Sequence, residues 1–472
     1  MNAESRGARA LRAARNLLRG GACAATLLAA LPAQADTLAE ALIGAYRTSG
    51  LLEQNRALLR AADEDVAQAV AALYPVVEYA ASANYTVSRG EFGQGRGDVT
   101  VGQTEANLAL TGQLTLWDGG KDRLSIDAAK ETVLATRASL LDVEQQVLLR
   151  AVVAFFGVLR DQEFVALRQN GVRLVEEELR AAQDRFEVGE ITRTDVSLAE
   201  ARLEESRSFL ASAEGDLVQS REEYLAIVGR YPDDLQVPQI PMRPVASVEA
   251  ARGIALRNHP SIEEAQRNVT TGEINVQLAY AQRRPDLTLG GRADIFDGGD
   301  RRDSVSLQLG GPIYQGGRLD SLYRQAVARA EAARAGLLLT VEQIRQDVAV
   351  AFSNLRVARA TLEASRRQAE AQEVAFEGAR EEATLGARTT LDVLDAEQDL
   401  LDARTNVVAA NTNQFIAAYQ LLSAMGLLTV TELKLGITQY DAEAYYDAVR
   451  TAPVLSPRGR ALDRVIKRLG DN

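Results

Sequence analysis

Two aspartates, Asp392 and Asp395, stand three residues apart in the stretch LGARTTLDVLDAE, shortly after a glycine. Residues three apart lie on the same face of a helix, where two like charges repel by a few tenths of a kcal/mol. One explanation is structural: Thr389 or Thr390 caps a helix whose first turn favours acidic residues by ~0.3–1 kcal/mol, because its N–H groups are exposed. The other explanation is functional, and the spacing alone does not decide between the two.

A near copy of this stretch, VGEITRTDVSLAE, lies 197 residues earlier, because the sequence contains an internal duplication. At this shift Asp195 aligns with Asp392. Upstream the shift is 210, so the first copy has 13 extra residues between Pro75 and Trp117. Two long copies indicate a duplicated half-molecule and not a solenoid of many short repeats.

Residues 1–35 have the pattern of a secretory signal peptide. Five arginines precede an apolar run that ends at the small-x-small site Ala33-Gln34-Ala35. The run of about ten residues is too short to span a bilayer, which needs ~20. We therefore expect the mature chain to begin at Asp36. The single cysteine, Cys23, lies inside this segment, and no large aliphatic residue precedes it as a lipid attachment site would require.

The mature chain is strongly acidic, with 48 basic residues against 64 acidic ones and a net charge of −16. Such a surface repels nucleic acid and suits a duct that treats cations and anions differently. The composition, 46% apolar but only 5% aromatic, is typical of long helices and coiled coils. No later segment has ~18 uninterrupted apolar residues, so no transmembrane helix is predicted.

Each half has the same predicted order of elements. A helix closed by a proline leads to a strand hairpin, a very long helix, a glycine-containing tip and a shorter return helix. In the first repeat (36–247) the predicted bounds are helix 38–73, membrane hairpin 76–117, long helix 119–187, return helix 191–228 and linker 229–247. In the second repeat (248–450) they are helix 248–283, membrane hairpin 286–314, long helix 316–384, return helix 389–425 and equatorial segment 427–450. Residues 451–472 are predicted to be a disordered tail.

The hairpins show the two-residue period of strands. Apolar and polar residues alternate in EANLALTGQLTLW, and SVSLQL repeats the pattern in the second half. Each half therefore contributes one hairpin of about ten-residue strands, the length that a tilted strand needs to cross a membrane. We expect the 13 extra residues mainly in the first loop, RGEFGQGRGD. Trp117 and Tyr314, at matching strand ends, fit either an interfacial aromatic position or core packing.

Large residues recur every seven positions along the long helices, with one step of eleven. A seven-residue repeat gives a left-handed supercoil, which a four-residue insertion locally unwinds. Such helices are expected to pack against neighbouring helices along their length. In the first half the repeat comprises Ile126, Val133, Leu140, Val147, Val158, Val165, Val172, Leu179 and Phe186.

Four membrane strands cannot close a barrel by themselves. Open sheet edges are not tolerated in lipid, and barrels made by one chain have at least about eight strands. We therefore expect the chain to share its barrel with copies of itself.

The residues and their order resemble the TolC family of outer-membrane efflux and secretion channels. PIYQGG (312–317) and TLDVLDAE (390–397) are the most specific motifs, and RFEVGEITRTDV (185–196) also matches. The resemblance implies an α+β membrane protein whose duplicated halves build a trimeric twelve-stranded β-barrel, continuous with a periplasmic α-helical coiled-coil barrel. It implies a homotrimer in outer-membrane lipid, with a periplasmic adaptor (membrane fusion) protein and an inner-membrane transporter as partners. The implied function is the exit duct of a tripartite multidrug efflux pump or a type I protein secretion system in a Gram-negative cell.

The resemblance also assigns a gate at the periplasmic mouth. It places Asp392 and Asp395 on the channel axis, where a trimer would carry a selectivity ring of six carboxylates. It places Arg388 opposite Thr194 and Asp195 of the other half as a latch that holds the mouth shut. An exposed pair of this kind contributes only ~0–1 kcal/mol, weak enough for a partner protein to undo.

The remaining tip residues are assigned to closure and to adaptor contact. Ala383 stands where the family's best-known member has an aromatic latch residue, so closure is expected to be weaker or differently organised. Val188, Gly189, Leu385 and Gly386 are expected to contact the adaptor. The two glycines also have a plain explanation as left-handed residues that end the long helices.

The sequence does not predict an enzyme. His259, the single histidine, has no evident ligand or nucleophile partner and is expected to be structural. The segment GEFGQGRG lacks the lysine of a phosphate-binding loop and lies between strands. We therefore expect no catalytic residue, no metal and no cofactor. The alternative to a channel is a structural coiled-coil envelope spacer or tether without transport activity.

Overall fold

The computed structural model describes residues 36–90, 99–238, 245–450 and Arg464. The predicted signal peptide, residues 239–244 of the predicted linker and the predicted tail apart from Arg464 lie outside the described residues, as does most of the loop predicted between the first two strands. In the described parts of the chain, no helix is long and apolar enough to cross a membrane. In chain order the elements are α1 (Leu38–Thr48), α2 (Gly50–Ala71), β1 (Val76–Gly90), β2 (Val99–Trp117), α3 (Lys121–Glu187), α4 (Arg193–Val228), α5 (Val248–Asn258), α6 (Pro260–Ala281), β3 (Asp286–Phe296), β4 (Arg301–Gly310), α7 (Arg318–Thr384), α8 (Thr390–Ala424) and α9 (Ala442–Val449).

The opening helix of each half is broken once, which corrects the prediction of a single helix. In the first half Ser49 breaks the helix, and its hydroxyl accepts a hydrogen bond from the Leu52 amide at 3.2 Å. In the second half His259 breaks the helix. Its Nδ1 accepts from the Ser261 amide at 3.3 Å, and Pro260 occupies the first turn of α6. With the shift of 210 residues Ser49 aligns with His259, so the break belongs to the duplicated unit.

Each break is contacted by the residue that ends a return helix. Gly229 follows α4 and Gly426 follows α8, with φ of +85° and +75°. A Cβ added to Gly229 would lie 2.6 Å from Thr48 Cγ2, and one added to Gly426 would lie 2.8 Å from the Cα of His259. Glycine is needed at both positions because of the left-handed conformation and the close approach.

The four strands form one antiparallel sheet in the order β1-β2-β3-β4. Successive side chains point to opposite faces. On one face Tyr79 lies opposite Leu110, and the neighbouring pairs are also mainly apolar. On the other face Thr111 lies between Glu78 and Arg292. In the described part of the chain, β1 and β4 each have a strand neighbour on one side only.

β1 and β2 are longer than the sequence predicted. They have 15 and 19 residues, whereas β3 and β4 have 11 and 10. β2 pairs with β3 only from Asn107 onward, so residues 99–106 pair with β1 alone. The prediction that the extra residues lie mainly in the first loop is therefore wrong, because most of them lengthen the first hairpin. The alternation of apolar and polar residues cannot reveal this extra length, since a strand with one neighbouring strand shows the same alternation as a strand with two.

The long helices α3 and α7 have 67 residues each and are about 100 Å long. Each follows a left-handed glycine, Gly120 (φ +90°) or Gly317 (φ +84°). The heptad residues Val133 and Val147 of α3 are buried, whereas Phe186 at its end is exposed. α3 packs along α4, and α7 packs along α8.

The largest core lies where α1, α3, α4 and α8 meet. Phe156 of α3 stacks on Phe415 of α8 with ring centroids 4.7 Å apart, and Phe155 meets Phe156 edge-on at 5.5 Å. A second core between α5, α7 and α8 includes Leu421. Since α8 contributes to both cores, it joins the two halves of the chain.

The segment after α8 returns to the first half, where α9 lies against α2. The Tyr445 hydroxyl donates to the Glu64 carboxylate of α2 at 2.8 Å, and Arg137 of α3 donates to the Ala442 carbonyl at 3.2 Å. These bonds attach the predicted equatorial segment to both helices.

Candidate functional site at the helix tips

The two long helices end in the same glycine motif. After α3, Gly189 (φ +83°) donates to the Phe186 carbonyl at 3.0 Å, and Glu190 donates to the Arg185 carbonyl at 2.9 Å. Gly386 (φ +74°) ends α7 through the equivalent pair of bonds. This pattern is a Schellman motif, so the prediction that left-handed glycines end the long helices is confirmed.

The tips expose apolar side chains beside these glycines. Val188 and Leu385 are 72% and 84% exposed. Each of these side chains therefore stands in water next to the glycine that ends its helix.

Each return helix begins with a capping box. In α8 the Thr389 hydroxyl accepts from the Asp392 amide at 3.2 Å, and the Asp392 carboxylate accepts from the Thr389 amide at 2.9 Å. Thr192 and Asp195 form the same box at the start of α4. Thr389 is therefore the cap, whereas Thr390 is buried.

The capping box also fixes the charge of Asp392. The hydrogen bond from the Thr389 amide lowers the pKa of the Asp392 carboxyl, and the bond from the Thr389 hydroxyl adds to this effect. The side chain is half-buried and ionised at neutral pH. The structural explanation of Asp392 therefore holds, and it is compatible with a charge at the mouth of a channel.

Asp395 has a partner that the sequence did not predict. Its carboxylate accepts a hydrogen bond from Arg202 Nη2 of α4 at 2.6 Å. Arg202 also pairs with Glu205 of its own helix at 2.8 Å. The Arg202–Asp395 pair crosses from one half of the chain to the other. No local sequence signal could have identified it.

Arg388 does not contact its expected partners within this chain. Its Nε donates to Glu382 Oε2 at 2.8 Å, across the turn between α7 and α8. Thr194 is exposed, and the Asp195 carboxylate is engaged in its capping box. Among the described residues, no hydrogen bond or ion pair joins Arg388 to either of them. A latch made of these residues therefore requires Arg388 to change partner or to meet them on another copy of the chain.

Sequence reasoning also overlooked Glu397, which belongs to the same motif. The residue is 4% exposed, and neither carboxylate oxygen has a hydrogen-bond partner in the described part of the chain. Val393 and Leu400, four residues before and three after, are also buried. This helical spacing places the carboxyl on the apolar face of α8 and could have predicted its burial.

Ala383 packs inside the protein and not at an exposed latch. It is 7% exposed and lies with Phe376 and Val393 in the core between α7 and α8. An alanine there fills a small space and cannot make the aromatic latch contact that the resemblance implies for this position.

Comparisons with known proteins agree with this geometry. The profile described as "Outer membrane efflux protein" matches residues 45–230 and 252–427, one segment in each half. The chain is 33% identical over 439 residues to the outer membrane efflux protein BepC of Brucella suis biovar 1, covering 90% of this chain and 93% of BepC. It is 27% identical over 410 residues to the outer membrane protein TolC of Vibrio cholerae serotype O1, covering 84% and 92%. The crystal structure of the Campylobacter jejuni CmeC outer membrane channel has the same fold, with a TM-score of 0.72 over 88% of this chain and 89% of that chain at 16% identity.

Proposed function

The chain belongs to the outer membrane efflux protein family, and from this premise we propose that three copies of it build a single exit duct. The protein is an outer-membrane channel for efflux, type I secretion or both, and it extends into the periplasm. The shared barrel rests on one observation, the four-stranded sheet whose outer strands each have one strand neighbour in the described part of the chain, and the number three follows the resemblance to the TolC family. An open edge in lipid leaves amide and carbonyl groups unpaired at a cost of several kcal/mol each. Three copies joined edge to edge give a closed barrel of twelve strands.

The two faces of the sheet support this arrangement. The apolar face, with Tyr79 and Leu110, suits contact with lipid. The polar face, with Glu78, Thr111 and Arg292, suits a water-filled interior. The helices α3, α4, α7 and α8 of three copies then continue the barrel as a periplasmic tube of about 100 Å.

The tips of this tube are the proposed gate. Asp392 and Asp395 of three copies form a ring of carboxylates at the mouth, and this ring selects for cations. Arg388 latches the ring by pairing with Thr194 and Asp195 in the assembled mouth. The exposed tips, with Val188, Gly189, Leu385 and Gly386, dock a periplasmic adaptor, which couples the duct to an inner-membrane transporter. Their apolar exposure supports this docking role.

The channel and its ring are tested together in planar lipid bilayers. Wild-type protein is expected to give discrete, cation-selective current steps. Asp392→Asn with Asp395→Asn should lower the ratio of cation to anion permeability several-fold, because the ring loses its charge. Asp399→Asn, an exposed residue of the same helix, is the control and should leave the ratio unchanged. Correctly inserted protein that never conducts would exclude the duct.

The tip latch is tested by Arg388→Ser. Since an exposed ion pair contributes at most ~1 kcal/mol, we expect the mean current to rise roughly twofold to fivefold. Arg367→Ser removes an exposed arginine that pairs within α7 and should not change the current. An unchanged or smaller current in the Arg388 variant would remove this residue from the closing mechanism.

A further inference from the structure

α8 touches the first half of the chain near the tips, along a surface that we call the seam. Arg202 of α4 bonds to Asp395 at 2.6 Å, and farther along Arg168 of α3 lies 3.7 Å from Asp402. Leu394 packs beside Asp395 in an apolar cluster with residues of α3 and α4. The seam therefore joins α8 to both helices of the first half.

Glu397 lies buried at the seam, where α3, α7 and α8 meet. Glu178 and Glu177 of α3 and Arg380 of α7 are the charged groups that act on it. Arg380 is paired with Glu178 at 3.4 Å, and Arg202 of α4 is paired with Asp395. No cation is therefore left to neutralise a charge on Glu397 among these neighbours.

The corresponding positions of the two halves show that the seam is specific to α8. Glu397 aligns with Glu200, which is exposed. Arg202 aligns with Asp399, and Asp395 aligns with Leu198, so the ion pair is not repeated in the other half. The same motif leaves Glu200 exposed, so the contact of α8 with the first half completes the burial of Glu397 that its spacing favours.

We propose that Arg202 and Glu397 form a seam latch, which holds α8 against the first half and closes the channel within each chain. This inference rests on the proposed gate. Arg202 ties α8 to α4 through Asp395, and the uncharged Glu397 carboxyl lets α8 lie against α3. When α8 moves away, the ion pair breaks and Glu397 reaches water. Once Glu397 is ionised, repulsion from Glu177 and Glu178 opposes the return of α8.

The seam latch depends on pH in a defined direction. Burial, together with the charge of Glu178 and against the opposing effect of Arg380, raises the pKa of Glu397 from its ordinary value of 4.5 to about 7. The closed state therefore holds the proton more tightly than a state in which Glu397 meets water. The closed state is fully favoured below pH 4.5 and loses this stabilisation as the pH rises through about 7.

The test is single-channel recording of the full-length protein at about pH 5 and about pH 8. We expect the wild-type open probability to rise at least fivefold between them. Glu397→Gln should abolish this dependence and remain mostly closed, whereas Arg202→Gln should open more at both pH values. Glu377→Gln, an exposed carboxyl of α7, and Arg207→Gln, which ties α4 to α3 through Glu176 at 3.0 Å, are the matched controls and should behave as wild type.

Two results would overturn the proposal separately. Retained pH dependence in Glu397→Gln excludes Glu397, and identical currents in the Arg202 and Arg207 variants exclude Arg202. Arg202→Cys with Asp395→Cys gives a second route that avoids a folding defect, because Cys23 is the single natural cysteine and lies in the predicted signal peptide. A reducible thiol-specific cross-linker as long as the arginine side chain should hold this variant closed, and its reduction should release it; a cross-linked variant that opens like the reduced one contradicts the latch. Absence of current in the wild type itself would instead refute the proposed channel.

Discussion

Replacing Gly426 with alanine is expected to lower the free energy of unfolding by roughly 2–4 kcal/mol. Alanine would have to adopt a φ of +75°, which is unfavourable for a residue with a Cβ. The new Cβ would also lie 2.8 Å from the His259 Cα and 2.9 Å from the Asn258 carbonyl oxygen. Both contacts are to backbone, so no side-chain rotation relieves them. The end of α8 would separate from the corner between α5 and α6. Thermal loss of helical circular dichroism in detergent measures the effect.

Gly215→Ala is the control for this substitution. Gly215 lies within α4, and an added Cβ would meet nothing within 4 Å. Alanine favours a helix interior over glycine by roughly 0.5–1 kcal/mol, so this variant should melt at or slightly above the wild-type temperature. Equal melting temperatures for the two variants would show that the close approach of Gly426 to His259 does not affect the stability of the protein.

Replacing Phe156 with alanine is expected to lower the free energy of unfolding by about 3–5 kcal/mol. Phe156 is 2% exposed and stacks on Phe415 of α8. Truncation leaves a cavity where the two halves meet and removes the ring contacts with Phe155 and Phe415. The midpoint of chemical unfolding, followed by circular dichroism, should fall accordingly.

Phe209→Ala provides the matched comparison. Phe209 is 40% exposed, and its main interaction is with Arg168, whose guanidinium carbon lies 5.0 Å from the ring centroid. Such a contact contributes about 0.5–1 kcal/mol at an exposed site. If Phe209→Ala lowered the free energy of unfolding as much as Phe156→Ala, burial at the junction of the halves would not explain the effect of Phe156→Ala.

The long helices and their ends could be predicted because their signals are local. The seven-residue spacing that includes Val133 and Val147 marks the buried stripe of α3. Gly189 and Gly386 end the helices in the left-handed conformation, which other residues adopt at a cost. The threonine and the aspartate three residues later, in each return helix, form capping boxes from neighbouring side chains alone.

The helix breaks were only partly visible in the sequence. Pro260 gave a signal for the second break, because the residue before a proline disfavours helical backbone. Ser49 gave none of comparable strength, since serine is found both inside helices and at their caps. What fixes the first break is the packing of Gly229 against Thr48, a contact between residues that are far apart in the chain.

The side-chain partners at the tips could not be predicted because they depend on the folded geometry. Arg202 and Asp395 are 193 positions apart, and the aligned position of the other half holds no equivalent pair. The sequence suggested a charged partner for Arg388 but did not identify Glu382, because it is the turn after α7 that brings these two side chains together. The burial of Glu397 was available from its spacing, whereas its charged neighbours on α3 and α7 were not.

Beyond the four-stranded part of the sheet, the first hairpin continues as a two-stranded ribbon, residues 83–90 against residues 99–106. At about 3.3 Å per residue it projects roughly 25 Å past the end of β3. Two strands alone are marginally stable in water, so this ribbon opens far more often than the wall beneath it. It points away from the helices, which in the proposed duct is toward the cell exterior. In that duct, antibodies and proteases arriving from outside would therefore meet this ribbon before the four-stranded wall.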